Sequence, residues 1–533
     1  MVAPLAVATA FKGSGMVAAS LAATGAFFLS TPRSRAVCVL LALVLCPVLL
    51  VGELWNSSQF ETLRSHPAEL VALGVVGLAL IVALAVVFMR WPLLMPVLAV
   101  AALPFRIPVQ AGGQSALLLV PLYVVVGGGG LAYVWERLRP RDPGAENNGY
   151  RLAPAERSPG YMELALMIAV LLYSIQAAYS TDFETALKNV AFFYIPFALL
   201  LKLITSLEWT ARLEEWCLRV TVGLSLIFAA IAFGEYATRR LLWNPKVIEA
   251  NQFRSYFRVN SLFFDPNIYG RYLAIVMVIL ATLLLWSRRT RNVVWISVLL
   301  AVMWAGLVLS LSQSSFAALL VGLAVLAAVR WKTWPVVAAV GAAAVIAAIV
   351  IWAIPGSVHL KGHSAKSLNR ATSGRVDLMR GGLSMFGDRP LYGYGSGSFA
   401  ERFRAREKKG EAQAASASHT IPITVAAEQG VVGLGVYVFL LVVSFRLLFG
   451  GLLELRGPGP PSARMLGRVV AAAAFSALAF HTLLYADFLE DPLTWTLLGL
   501  GIALRRGPPV AERVQSGSYS VTPAAASTSS QES

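Results

Sequence analysis

Four side chains in this sequence have the chemistry to act on an anion at a membrane surface: Arg258, Arg375, Arg380 and His419. Each stands just outside, or in the polar stretch next to, a run of apolar residues. A guanidinium presents a planar fork of donors that matches phosphate or carboxylate oxygens. A histidine, with an ordinary pKa near about 6.5, can take up a proton at neutral pH. His419 precedes an apolar run, and Ser418, His419 and Thr420 followed by Pro422 mark a helix N-terminus, where amide N–H groups favour an anion. The alternative is an interfacial histidine that merely caps the helix. Arg258 precedes Asp265-Pro266-Asn267, a helix-start pattern with Asp at the cap and Pro in the first turn. Arg375 opens RVDLMRGGLSMF, in which Val376, Met379, Leu383 and Phe386 recur at helical spacing. That pattern predicts a short amphipathic helix on the membrane surface, with Arg375 and Arg380 at headgroup level. All these arginines could equally anchor the protein to lipid phosphate.

Other residues carry weaker signals. His359 and His363 are four apart but lie after Pro355-Gly356 and lack a third ligand nearby, so no metal site is assigned. His481 lies inside an apolar run, either as a hydrogen-bonded bridge between helices or as part of a buried polar pocket. Glu428 follows His419 by nine positions, about 13 Å along a helix, too far for a direct catalytic pair. Gly430 and Gly433 read as sites of close helix approach. The run DRPLYGYGSGSF is a glycine-rich turn without the lysine and the strand–helix context of a nucleotide loop.

The elements that must position these residues are membrane spans. Hydrophobic residues make up 57% of the 533 positions and charged residues 14%, against about 25% charged in a typical soluble protein. Apolar runs of 18 or more residues recur along the chain, and about 20 residues at 1.5 Å rise cross a bilayer core. The expected fold is all-α: a polytopic helical membrane protein with about 12–15 transmembrane helices and one large external loop. The spans are expected at approximately 14–30, 36–55, 67–89, 91–108, 115–136, 159–178, 187–206, 215–235, 267–286, 292–311, 313–331, 334–354, 421–448, 466–486 and 491–505. The formal charge of +16 does not signal nucleic acid, because the basic residues gather at the ends of apolar runs. Cys38, Cys46 and Cys217 all fall in apolar runs and have no metal or disulfide spacing.

Basic clusters at Arg33/Arg35, Arg137–Arg157, Arg288–Arg291, Arg330/Lys332, Arg446–Arg468 and Arg505/Arg506 are separated by even numbers of spans, so all fit one cytoplasmic side. This divides the chain into N-terminal spans 1–136, a cytoplasmic linker 137–158, and spans 159–354 with an external segment 236–266. A large external loop 355–420, spans 421–505 and a low-complexity cytoplasmic tail 506–533 complete it. The first apolar run reads as retained rather than as a cleaved signal. The loop from Ile354 to Thr420 holds eleven Lys/Arg and five Asp/Glu, a net charge of about +6. It is basic on the side where the rule disfavours cations, and an anionic ligand would account for them.

Three stretches in this order resemble the O-antigen ligase and Wzy-type O-antigen polymerase superfamily of bacterial envelope glycosyltransferases, over roughly residues 160–505. They are His419-Thr420 followed by Gly430-Val-Val-Gly433; Gly374-Arg375 through Pro-Leu and Gly-x-Gly-x-Gly to Phe399; and Arg258 with Asp265-Pro266-Asn267. Asp487 with Trp495 adds a weaker match. Thr420 departs from the Asn, Ser or Gln usual after this histidine, and Met379 stands where Trp is frequent. The resemblance implies an undecaprenyl-diphosphate-linked glycan as donor and a sugar hydroxyl on a glycan or lipid-linked acceptor. It implies metal-independent transfer on the external face of a bacterial inner membrane, with no cofactor. By carry-over, His419 is the catalytic histidine and Arg258 and Arg375 bind the diphosphate, with Arg380 grouped beside them. Asp265, Asn267, Thr420, Glu428, Gly430 and Gly433 would support the site, and a flippase or chain-length regulator would be a natural partner. Polysaccharide polymerisation is the favoured reaction; ligation to lipid A–core and, outside the class, a secondary transporter are the alternatives. A transporter would carry ionisable groups and broken helices near the midplane, whereas here the polar residues concentrate in the loop.

Overall fold

The computed structural model describes residues 2–54, 66–111, 114–139, 158–242, 245–253, 256–339, 341–342, 375–406, 420–456, 461–485 and 487–505. His359, His363 and His419 lie outside them, as do the tail 506–533 and most of the linker 137–158. Arg375 opens a helix, and only its backbone is described.

The chain is a helical membrane protein. Its helices are α1 (Val2–Phe28), α2 (Pro32–Leu54), α3 (Pro67–Arg90), α4 (Leu94–Ala102), α5 (Val120–Leu138), α6 (Tyr161–Gln176), α7 (Phe183–Thr205), α8 (Ala211–Thr238), α9 (Pro245–Phe253), α10 (Pro266–Trp286), α11 (Thr290–Ser310) and α12 (Gln313–Arg330). After the basic loop come α13 (Arg375–Asp388), α14 (Phe399–Arg406), α15 (Ile421–Phe449), α16 (Ala463–Thr482) and α17 (Pro492–Arg505). Among the described residues, ten helices are long and apolar enough to cross a membrane.

Two departures from the sequence reading concern the region before the site. The run expected as a span over 91–108 is only the nine-residue α4, about 14 Å long and too short to cross. It is followed by an antiparallel hairpin, β1 (Ile107–Ala111) with β2 (Gln114–Leu118), in register Ile107↔Leu118 to Ala111↔Gln114. Pro104, two residues past the last helical residue, cannot continue α4, and the residue before Pro108 is driven toward the extended backbone of β1. The large loop contains α13, the short helix that the spacing of Val376, Met379, Leu383 and Phe386 predicts, and also α14, and the segment 236–266 contains α9.

Burial separates the central spans from the peripheral ones. The most apolar window is 83% enclosed in α7 and 78% in α10, but only 11% in α3, whose surface is left for lipid. The molecule has two polar ends. At one, Arg464 donates to the Leu504 carbonyl (2.7 Å), Arg505 reaches the Arg446 carbonyl (3.4 Å), and Arg468 bonds to the Gly450 carbonyl. These are members of the basic clusters that the sequence assigns to one side. The opposite end gathers Arg106, Arg258, the α10 and α15 starts and residues 483–485 and 487–491.

Candidate active site

The glycine-rich run and α15 form one unit. Gly430 interrupts α15 with φ +65° and ψ −162°, so the helix kinks nine residues after its start. The run 390–399 fills that kink with backbone hydrogen bonds. The Val431 N–H donates to the Pro390 carbonyl (2.7 Å), the Tyr394 N–H to Ala427 (3.2 Å) and the Gly395 N–H to Glu428 (2.8 Å). The Glu428 carboxyl completes the latch, accepting from the N–H groups of Gly397 (2.9 Å) and Phe399 (3.0 Å). Gly393, with φ +67°, passes so close that a Cβ there would lie 2.3 Å from the Glu428 backbone, and one on Gly430 would lie 2.4 Å from that of Leu391. The expected role of Gly430 in helix–helix approach is therefore corrected: its close neighbour is the glycine loop. The space at Gly433 is taken by the side chain of Gln429 in its own helix.

Beside this unit lies a cavity of about 370 Å³, within the usual range for a small-ligand site. Its walls come from α6, α7, α15 and the 485–490 segment. Polar groups facing it include Lys188, Asn189, Tyr173, Glu428, Asp487 and Glu490. Its lining follows α15 from Ile421 to Leu440, about 28 Å of helix rise, so it runs from the helix start well into the membrane. Burial, and then the neighbouring Asp487 carboxylate, push the Glu490 carboxyl up to about 8. Burial also raises the Tyr485 hydroxyl well above its usual range.

Arg258 sits at the same end. Its Nε donates to the Ser310 carbonyl (2.9 Å) and Nη2 to Asn267 Oδ1 (3.3 Å). Asn251 brackets its backbone, donating from Nδ2 to the Arg258 carbonyl and accepting from its N–H at Oδ1 (3.0 and 3.2 Å). Asp265 caps α10 as the sequence pattern predicts, accepting from the Asn267 N–H (2.6 Å). Burial raises the Asp265 pKa, while that N–H and the Arg258 charge pull it back. Asn267 Oδ1 also accepts from Ser312 Oγ (2.9 Å). Ser314 and Ser315 continue this network to His481 Nε2 (3.2 and 3.4 Å). His481 is fully buried, and of the two sequence readings the hydrogen-bonded bridge between helices is the one observed.

The remaining predicted residues distribute as follows. Thr420 caps α15 by position, without a side-chain bond to the helix, and its Oγ1 donates to the Leu483 carbonyl (3.1 Å). That contact ties the start of α15 to the end of α16, two residues before the cavity-lining Tyr485. Arg380 is exposed on α13. Among the described residues no group of three His, Cys, Asp or Glu side chains is arranged to hold a metal.

Sequence reasoning missed an ion cluster beside the cavity. Arg271 and Asp491 pair at 2.7 Å, both almost wholly buried, and Arg106 lies 3.7 Å from Asp491 and 3.9 Å from Asp487. Asp487 itself holds φ +80°, a left-handed backbone that few non-glycine residues adopt. An arginine in the second turn of an apolar span was the available signal, since ionisable groups at membrane depth are rare.

Residues 298–438 match the model of the O-antigen ligase family (Wzy_C). The match runs from within α11 to within α15, so it takes in Ser310–Ser315, Arg375, Arg380, the glycine loop, His419 and the Glu428 latch. Arg258, Asp265 and Asn267 precede it. The O-antigen ligase match agrees with the resemblance drawn from the motifs, and supports O-antigen ligase/polymerase-type function in general terms. No curated protein matches the chain.

Proposed function

We propose that the protein transfers a saccharide from a polyprenyl-diphosphate carrier to a sugar hydroxyl, at the membrane end where Arg258, the α15 start and the cavity meet. The observation that carries this reading is the cavity that α15 walls with residues of the O-antigen ligase match, from Ile421 to Tyr437, on the helix that begins two residues after His419. His419 is covalently adjacent to Thr420, whose hydroxyl is bonded to Leu483, two residues before the cavity-lining Tyr485. In the proposed reaction His419 accepts the proton of the acceptor hydroxyl as its oxygen attacks the anomeric carbon. The bond from that carbon to the diphosphate oxygen breaks, and the diphosphate leaves with the bonding pair. Arg258, Arg375 and Arg380 stabilise the charge that develops on it. No step in this scheme needs a metal. A charge-assisted hydrogen bond contributes about 1.5–3 kcal/mol, and general-base assistance about 10²- to 10⁴-fold in rate.

The acceptor we favour is a second lipid-linked saccharide, which makes the reaction a polymerisation on the external face of the inner membrane. Ligation to lipid A–core is the second reading, favoured by the name of the matched family. The glycan profile of a deletion strain separates them. Loss of long polymer from the lipid-linked pool supports the polymerase; long polymer that accumulates without reaching the core supports the ligase. An unchanged profile contradicts both.

A further inference from the structure

The loop helices carry a second cluster of cations that the proposed reaction does not use. Tyr394, in the glycine loop, has three guanidiniums over its ring: Arg389 at 4.6 Å, Arg402 at 5.2 Å and Arg406 at 5.6 Å from the centroid. Among the described residues, one carboxylate is bonded to this group. Asp388 pairs with Arg406 and accepts from the Tyr394 hydroxyl (3.3 Å). Arg402 donates to Thr181 Oγ1 (3.2 Å), and Arg406 also bonds to Ser384 Oγ (2.9 Å) and to the Tyr394 hydroxyl (2.8 Å). Arg389 is exposed, and its guanidinium lies over the ring of Tyr394. Three cations held around one ring against one acid repel each other, and a bound oxyanion relieves that repulsion.

The depth of the cluster says which oxyanion. From the Gly430 kink to Phe449, α15 runs twenty residues, about 30 Å, which is the thickness of the hydrocarbon core. The part of α15 after the kink is thus long enough by itself to cross that core. Leu391 and Tyr392 lie against that kink, 64% and 55% exposed, and Val431 and Val432 are each 49% exposed beside them. Tyr179 stacks edge-on to Tyr392 (5.9 Å) and donates to its carbonyl (2.6 Å), an aromatic pair of the type enriched at membrane interfaces. Exposed apolar residues thus gather at the kink, and the exposed Arg389, next to Pro390 in the chain, adjoins them.

We infer that Arg389, Arg402 and Arg406 around Tyr394 form a binding site for the phosphate of an anionic membrane phospholipid, with Leu391 and Tyr392 against its acyl chains. The site anchors the loop to the bilayer and is separate from the diphosphate arginines. Arginine suits it because the fork engages two phosphate oxygens at once.

The test uses the full chain reconstituted with equal parts of phosphatidylglycerol and phosphatidylcholine, then released for native mass spectrometry of retained lipid. The wild type should keep phosphatidylglycerol in preference to phosphatidylcholine, and Arg389→Gln and Arg402→Gln should each lower that preference about tenfold, the loss of one charge-assisted bond. Arg404→Gln, whose Nε donates to the Ala400 carbonyl one turn back (3.2 Å), should leave it unchanged. Equal retention of both lipids by the wild type, or an equal loss in Arg404→Gln, overturns the site. Added inorganic phosphate that displaces the phosphatidylglycerol completely at matching concentration also overturns it, in favour of a free-anion site.

Discussion

Glu428→Ala is the perturbation whose cost is most directly written in the structure. The Glu428 side chain accepts from the N–H groups of Gly397 and Phe399 at 2.9 and 3.0 Å, and all three residues are buried. Removing the carboxyl strands both donors, at about 1–3 kcal/mol each, so destabilisation should total about 2–6 kcal/mol. Glu428→Gln keeps one acceptor oxygen but turns an amide N–H₂ toward the other donor, so it should cost about half as much. The damage should be local, because the glycine loop is held to α15 chiefly here and by the backbone bonds around Gly430. Urea unfolding in detergent gives the stability, and limited proteolysis within 388–399 reports release of the loop. Since the loop fixes the kink that orients the start of α15, product formation should also fall, by about 10²-fold for a shift of 1 Å. An Ala variant with wild-type unfolding, proteolysis and turnover would refute the latch.

Three further outcomes follow from other parts of the site. Gly430→Ala should be destabilised by more than about 1–2 kcal/mol, because φ +65° strains any side chain and its Cβ would strike the Leu391 backbone, as thermal unfolding would register. Glu490→Gln should flatten the alkaline limb of the pH profile: the raised carboxyl favours the folded protein while protonated, and that contribution is lost as pH rises from the usual carboxylate range through about 8. Wild-type stability should therefore decline over that window and the variant's should not. Arg258→Lys and Arg375→Lys should both remain impaired in donor binding despite their charge, because the ammonium lacks the fork; normal donor affinity in both would reduce these arginines to anchors.

Local signals in the sequence were good guides to where elements begin. Asp265-Pro266-Asn267 and Thr420 with Pro422 each stand at the helix start their residue types imply, and the apolar runs after them end within a few residues of their expected limits. The failures are of two kinds. Residues 91–108 are apolar enough for a span, but hydropathy does not register that Pro104 stops the helix, so a short helix and a hairpin stand there. Partnerships across the chain were invisible. Glu428 reads as an acid in an apolar helix until the glycine loop is seen to fold against it, and Arg271 acquires meaning only from Asp491, far along the sequence. The glycines were noticed for the wrong neighbour, since periodicity within one segment cannot say which backbone will approach it.

The central claim is that the histidine beside the α15 start is the base for the acceptor hydroxyl. The direct test is transfer of saccharide from a lipid-diphosphate donor by membranes containing His419→Ala, with expression and thermal unfolding matched to the wild type. The account predicts normal insertion and stability with product formation reduced about 10²-fold or more, while His359→Ala and His363→Ala remain near wild type. A correctly inserted His419→Ala protein that makes product at the wild-type rate would contradict it.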